Sequence, residues 1–194
     1  VQPQRYDQFS TYMNNFDFIM THDEQLLKEY PNKTKHVVVG GSWINLKNQR
    51  VWSKSKNTSM IYSDKQNLEG HRLRHTVAAK VPGIDLYGRG TARPLAQKED
   101  ALLDYRFSIV IENSRAKDYF TEKLVDCLVV GTVPIYWGCP NISDYFDTRG
   151  MYIVNSLQEI ESLVGSLTEN DYINKIEYSK SNCEVAKTYA VTED

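Results

Sequence analysis

The chain has 194 residues, 41% of them hydrophobic and 25% charged, with a net charge of −2. That is the make-up of one domain with a packed core, and it excludes global disorder and argues against a dedicated nucleic-acid binder. Apolar runs such as Val37–Val39 and Ile109–Ile111 are far too short for a transmembrane segment, and the polar start, Val1 to Arg5, has no signal-peptide core. The chain as given therefore reads as cytoplasmic, a single domain over 1–194 with 1–15 and 190–194 peripheral.

In chain order, Phe16 to Thr21 is an apolar run of strand length, and His22-Asp23-Glu24 opens a short helix that stops before Pro31. Lys35 to Val39 reads as a buried strand closed by Gly40-Gly41. The loop that follows holds four basic residues and no acid between Lys47 and Lys56. With Arg72, Arg74 and Lys80 it is either a solvated basic face or a mouth that attracts a phosphorylated ligand. Met60 to Ser63 is a third strand, Arg72 to Val81 a helix, and Ile84 to Gly88 a fourth strand.

Lys98 to Tyr105 reads as a short helix and Phe107 to Ile111 as a fifth strand, apolar enough to be buried on both faces. Asp118 to Val130 is the strongest helix, with Leu124, Cys127 and Leu128 as its core stripe and Gly131 as its stop. Val133 to Trp137 and Tyr152 to Val154 are the last strands. Ser156 and Glu159 cap a helix over Leu157–Leu167, and a final helix runs from Tyr172 to Tyr189. Strands alternating with helices define an α/β domain, a Rossmann-like, mostly parallel sheet with helices on both faces. Ligands of such sheets bind beyond the carboxyl ends of the strands, here the loops after Ser63, Ile111 and Trp137.

Neither a dinucleotide fingerprint nor a P-loop is present. Cys127, Cys139 and Cys183 form no CxxC pair and suit a reducing compartment, and His71 and His75, four apart, lack the carboxylate of a metal motif. The dense polar cluster is Glu112-Asn113-Ser114 followed by Tyr119, Thr121, Glu122 and Lys123, between a buried strand and the first turn of a helix. A helix N-terminus and Lys123 suit a phosphate, while Glu122 suits hydroxyl and amino donors. Ordinary capping residues and surface charges would look the same at this spacing.

The runs YRFSIVIENS (Tyr105–Ser114), DYFTEKL (Asp118–Leu124) and GTVPIYWG (Gly131–Gly138) resemble the C-terminal domain of the α1,3-fucosyltransferases, glycosyltransferase family 10. The likeness extends more weakly over Phe16–Asn155. It implies one lobe of a GT-B enzyme with a site for the nucleotide-sugar donor GDP-fucose, or another GDP-sugar, and inverting transfer to a glycan hydroxyl. By resemblance Tyr119, Glu122, Lys123 and Arg74 contact the donor, with Arg72 as the fallback for the arginine. Glu112, Asn113 and Ser114 line the ribose side, and Thr121, Ser63 and Lys65 belong to the same site. No metal is expected, because Lys123 and Arg74 neutralise the diphosphate and the chain has no DxD pair. Two departures stand out. Asp64 replaces an Asn frequent in the family, and no position matches the family's general base, a carboxylate on the acceptor lobe. The chain then reads as a truncated enzyme, or a donor lobe that needs an acceptor lobe or partner chain; the alternative is a non-catalytic nucleotide-sugar-binding domain.

Overall fold

The computed structural model describes residues 12–89 and 91–189; residues 1–11, Gly90 and 190–194, which include the polar start and most of the expected peripheral stretches, lie outside the described residues. Five strands form one all-parallel sheet: β3 (Lys56–Ile61), β4 (Asp85–Tyr87), β5 (Tyr105–Ile111), β6 (Val133–Trp137) and β7 (Tyr152–Ile153), in the order β4-β3-β5-β6-β7. Thr58 registers with Phe107, and Ile109 with Ile135.

Alternation along the strands separates two apolar layers. Met60, Phe107, Ile109 and Ile135 pack with Val77 of α2 (Glu69–Lys80) and Ile160 of α4 (Leu157–Ser166). Val110 and Tyr136, on the other face, pack with Leu124 and Leu128 of α3 (Glu122–Val129) and Ala186 of α6 (Ile176–Lys187). Helices thus cover both faces, as an all-parallel sheet requires. Among the described residues no helix is long and apolar enough to cross a membrane.

The first two strands lie elsewhere. β1 (Ile19–Thr21) and β2 (Thr34–His36), joined by α1 (Glu24–Glu29), form a separate parallel pair. Phe18 and Met20 are 55% and 71% exposed there. The expected buried strand over Lys35–Val39 is corrected accordingly: β2 ends at His36, its burial is confined to Thr34, and Val39 is exposed. A two-stranded sheet has too little cover to bury such a run. Contacts from His36 to Asp118 (3.2 Å) and from Lys117 to Glu24 (2.5 Å) tie this unit to the main sheet.

Other boundaries shift for local reasons. The helix expected from Asp118 starts at Glu122, because Asp118 adopts a left-handed φ of 59° and Thr121 is the N-cap. Tyr145, Asn141 and His36 hold the Asp118 carboxylate in that turn. Lys98–Ala101 is a 3₁₀ turn, and Tyr105 already belongs to β5. The final helix divides into α5 (Glu169–Ile173) and α6, with no Gly or Pro to mark the break.

Of the basic residues read as a possible ligand mouth, Arg74 lines the cavity described below, whereas the Lys47–Lys56 stretch does not. It leads into the amino end of β3, opposite the carboxyl-end crevice. Arg50 stacks on Trp52, Lys56 pairs with Asp104, and Lys54 is buried. The Lys54 ammonium lies within 3.3 Å of the carbonyls of Leu102, Leu103 and Val130 and the hydroxyl of Thr132, tying three chain segments together beneath the sheet.

Candidate functional site

From β3 the chain moves outward to β4 and then returns to β5 on the other side of β3. This reversal opens a crevice at the carboxyl ends of β3 and β5, where doubly wound sheets bind ligands. A cavity of about 700 Å³ occupies it, floored by Ile61, Val110 and Ile111 and rimmed by Ser63, Lys65 and Trp43.

Two glycines allow its walls to close up. A Cβ at Gly70 would lie 1.7 Å from the carbonyl oxygen of Glu112, so the first turn of α2 rests directly on the backbone leaving β5. The Gly70 amide donates to the Asn113 carbonyl at 3.0 Å. At Gly138 a Cβ would lie 2.6 Å from Cγ of Glu112, which explains why a glycine follows β6.

Glu112 is fully buried and braces the N-terminus of α3. Its Oε1 accepts from the Thr121 amide (2.9 Å) and its Oε2 from the Thr121 hydroxyl (2.7 Å). Burial pushes its pKa above the ordinary carboxylate range, against the pull of Lys123 and Thr121. Lys123 lies in the first turn of α3, its Nζ 3.1 Å from both the Thr121 hydroxyl and Glu122 Oε1. For Glu122 burial acts against ionisation, but Lys123 and Lys98 outweigh it and hold the pKa below the usual value. Arg74, 6% exposed, donates from Nε to the Gly70 carbonyl and from Nη2 to Asn113 Oδ1. Burial lowers its pKa, while Glu112 and Glu122 counteract the loss of charge. The cations Lys65, Arg74, Arg89, Lys98 and Lys123 all face the cavity, against the acids Asp64, Glu122 and Asp126.

Of the residues expected at the site, Arg74, Glu122, Lys123, Ser63 and Lys65 line the cavity together, and Asp64 lines it beside them. Glu112 and Thr121 do not line the cavity and are hydrogen-bonded to each other. Asn113 supports Arg74, and the Tyr119 ring stands beside His22 at 5.1 Å rather than on the cavity wall. Ser114 is half-buried on the loop beyond and does not line the cavity. Arg72, the fallback arginine, is exposed, donates to the Gln66 and Asn67 carbonyls and does not line the cavity. His71 Nδ1 is engaged with Asn67 Oδ1, His75 Nε2 with the Lys65 carbonyl, and no group of metal-ligating side chains forms among the described residues.

Sequence reading missed Trp43, Lys98 and Asp126. Asp126 offered a signal: it is the lone charge in an apolar helix run, four residues beyond Glu122 and therefore on the same face. It is buried, accepting from Lys98 Nζ (2.6 Å), the Ser42 hydroxyl (2.9 Å) and the Trp43 amide (2.7 Å).

An all-parallel sheet with helices on both faces and a cation-lined cavity at its reversal point is a doubly wound α/β lobe. Within that class the chain belongs to glycosyltransferase family 10: the model for the family's fucosyltransferase C-terminal region matches residues 51–181. It is 38% identical over 80 residues to alpha-(1,3)-fucosyltransferase B of Drosophila melanogaster, covering 41% of this chain and 17% of that protein. A crystal structure of an α1,3-fucosyltransferase with GDP-fucose superposes with a TM-score of 0.50 at 16% identity, covering 77% of this chain and 50% of that one. The crystal structure of TarM gives 0.60 at 11% identity, covering 96% and 43%. These structural likenesses establish the fold, that of one GT-B glycosyltransferase lobe. The chain spans under a fifth of the curated relative and half or less of each solved chain.

Proposed function

We propose that this cavity binds the donor of a fucosyltransferase, GDP-fucose or another GDP-sugar. The observation that carries the reading is the convergence of Arg74 from α2 with Glu122 and Lys123 from α3 on one cavity at the sheet's reversal point. Arg74 and Lys123 bind the diphosphate, the arginine by its planar fork and the lysine as a compact charge beside a helix N-terminus. Glu122 accepts hydrogen bonds from ribose hydroxyls.

The reaction is inverting transfer to a glycan hydroxyl. The acceptor oxygen bonds to the anomeric carbon as the bond to the β-phosphate oxygen breaks, and GDP departs with the electron pair. Arg74 and Lys123 stabilise the charge that grows on the leaving diphosphate. The base that takes the acceptor proton belongs to the acceptor lobe, outside the residues matched here.

Calorimetry with GDP, GDP-fucose, UDP and ADP tests the reading. GDP and GDP-fucose are expected to bind at least about tenfold more tightly than UDP and ADP, a gap of ~1.4 kcal/mol. Equal affinity for all the diphosphates would remove the guanine part of the reading. EDTA is expected to leave the GDP isotherm unchanged, because the cavity's own cations face the diphosphate. A requirement for Mg²⁺ or Mn²⁺ in that titration would overturn this charge balance.

A further inference from the structure

Resting on the donor-site reading, we infer that Lys98 reads the oxygen at position 6 of a purine base in this cavity, selecting 6-oxopurine over 6-aminopurine diphosphates. Three charged groups of the cavity are neighbours: Lys123 Nζ lies 3.1 Å and Lys98 Nζ 3.7 Å from the same oxygen, Glu122 Oε1. With the diphosphate at Lys123 and Arg74 and the ribose at Glu122, the base falls beside Lys98. The surroundings there suit a flat heterocycle: Ile61, Leu95 and Leu102 are apolar walls, and the Trp43 ring stands at the rim.

Lys98 opens its 3₁₀ turn, and its ammonium is fixed from two sides. It lies 2.6 Å from Asp126 Oδ2 and 4.4 Å from the centre of the Trp43 ring. Asp126 cannot swing away, because its other oxygen accepts from the Ser42 hydroxyl and the Trp43 amide. An ammonium has three N–H groups, so donors remain beyond the one given to Asp126. Guanine and hypoxanthine present an acceptor oxygen at position 6, whereas adenine presents an amino donor that opposes an ammonium. A fixed donor among apolar walls is the arrangement by which ligand pockets gain specificity.

The test is calorimetry with GDP, inosine diphosphate and ADP on the wild-type chain and on Lys98→Met, which keeps the apolar stem. The wild type is expected to bind GDP and inosine diphosphate alike and ADP at least about tenfold more weakly. Lys98→Met is expected to lose about tenfold on GDP and inosine diphosphate while ADP stays unchanged, so the three converge. Lys98→Met combined with Asp126→Asn, which leaves no unpaired buried carboxylate, is expected to show the same convergence. An equal loss for GDP and ADP, or an unchanged ratio between them, would overturn the role of Lys98 and leave the donor site standing. No binding of any of the three by the folded wild type would overturn both.

Discussion

Replacing Arg74 or Lys123 with Ala is expected to raise the dissociation constant for GDP by roughly 10- to 150-fold, or about 1.5–3 kcal/mol, the range for hydrogen bonds to charged groups. The two cations come from different helices and act differently. Lys123 adds a full charge to the amide dipoles of the first turn of α3, and its side chain is 26% exposed. Its contribution should shrink as salt rises. Arg74 is held by the Gly70 carbonyl and Asn113 and is nearly buried, so its contribution should depend less on salt. Arg115→Ala and Lys117→Ala are the controls. Arg115 is engaged with Asn155 and stands over the Trp137 ring, and Lys117 pairs with Glu24. Calorimetry at low and high salt reads all four variants. Losses in the controls as large as those at Arg74 and Lys123 would mean a diffuse field rather than two specific contacts.

Gly70→Ala is expected to cost about 3 kcal/mol or more of folding stability, at or beyond the upper end for overpacking. The added Cβ would meet the Glu112 carbonyl oxygen at 1.7 Å, and that oxygen is backbone, which cannot rotate aside. Relief requires α2 to lift from β5. That motion would break the Gly70–Asn113 hydrogen bond and carry Arg74 away from the cavity. Stability and GDP affinity should therefore fall together. Gly165 in α4 is the matched control, with nothing within 4 Å of its would-be Cβ. Gly165→Ala should be neutral or stabilising by up to about 1 kcal/mol, as expected for Gly to Ala in a helix. Urea unfolding of the two variants checks both expectations. A Gly70→Ala chain as stable as the wild type would show that the helix does not rest on this backbone.

The parallel sheet was legible because its strands carry their own signals. β5 and β6 are apolar almost throughout, and only a doubly covered sheet accommodates such runs. The short parallel pair misled, because Val37-Val38-Val39 has strand composition but no sheet wide enough to bury it. In the site, the charges of the TEK run were visible, but which of them reach a cavity was not. Glu112 and Glu122 look alike in sequence. Depth separates them: one is locked on Thr121 beneath the helix, and the other faces the crevice. Lys98 and Trp43 belong to segments with no motif, and their contacts with Asp126 and the cavity join positions far apart in the chain. Nor does a basic cluster in sequence make a basic mouth. Lys47 to Lys56 leads into the amino end of β3, whereas the cavity's cations come from several separate segments.

A crystal structure of this chain with GDP tests the central claim most directly. The account predicts the diphosphate between Arg74 and Lys123, with a ribose hydroxyl donating to Glu122, inside the cavity at the carboxyl ends of β3 and β5. GDP bound elsewhere, on the basic stretch at the amino end of β3 for instance, or in the cavity with its phosphates away from both cations, would contradict it.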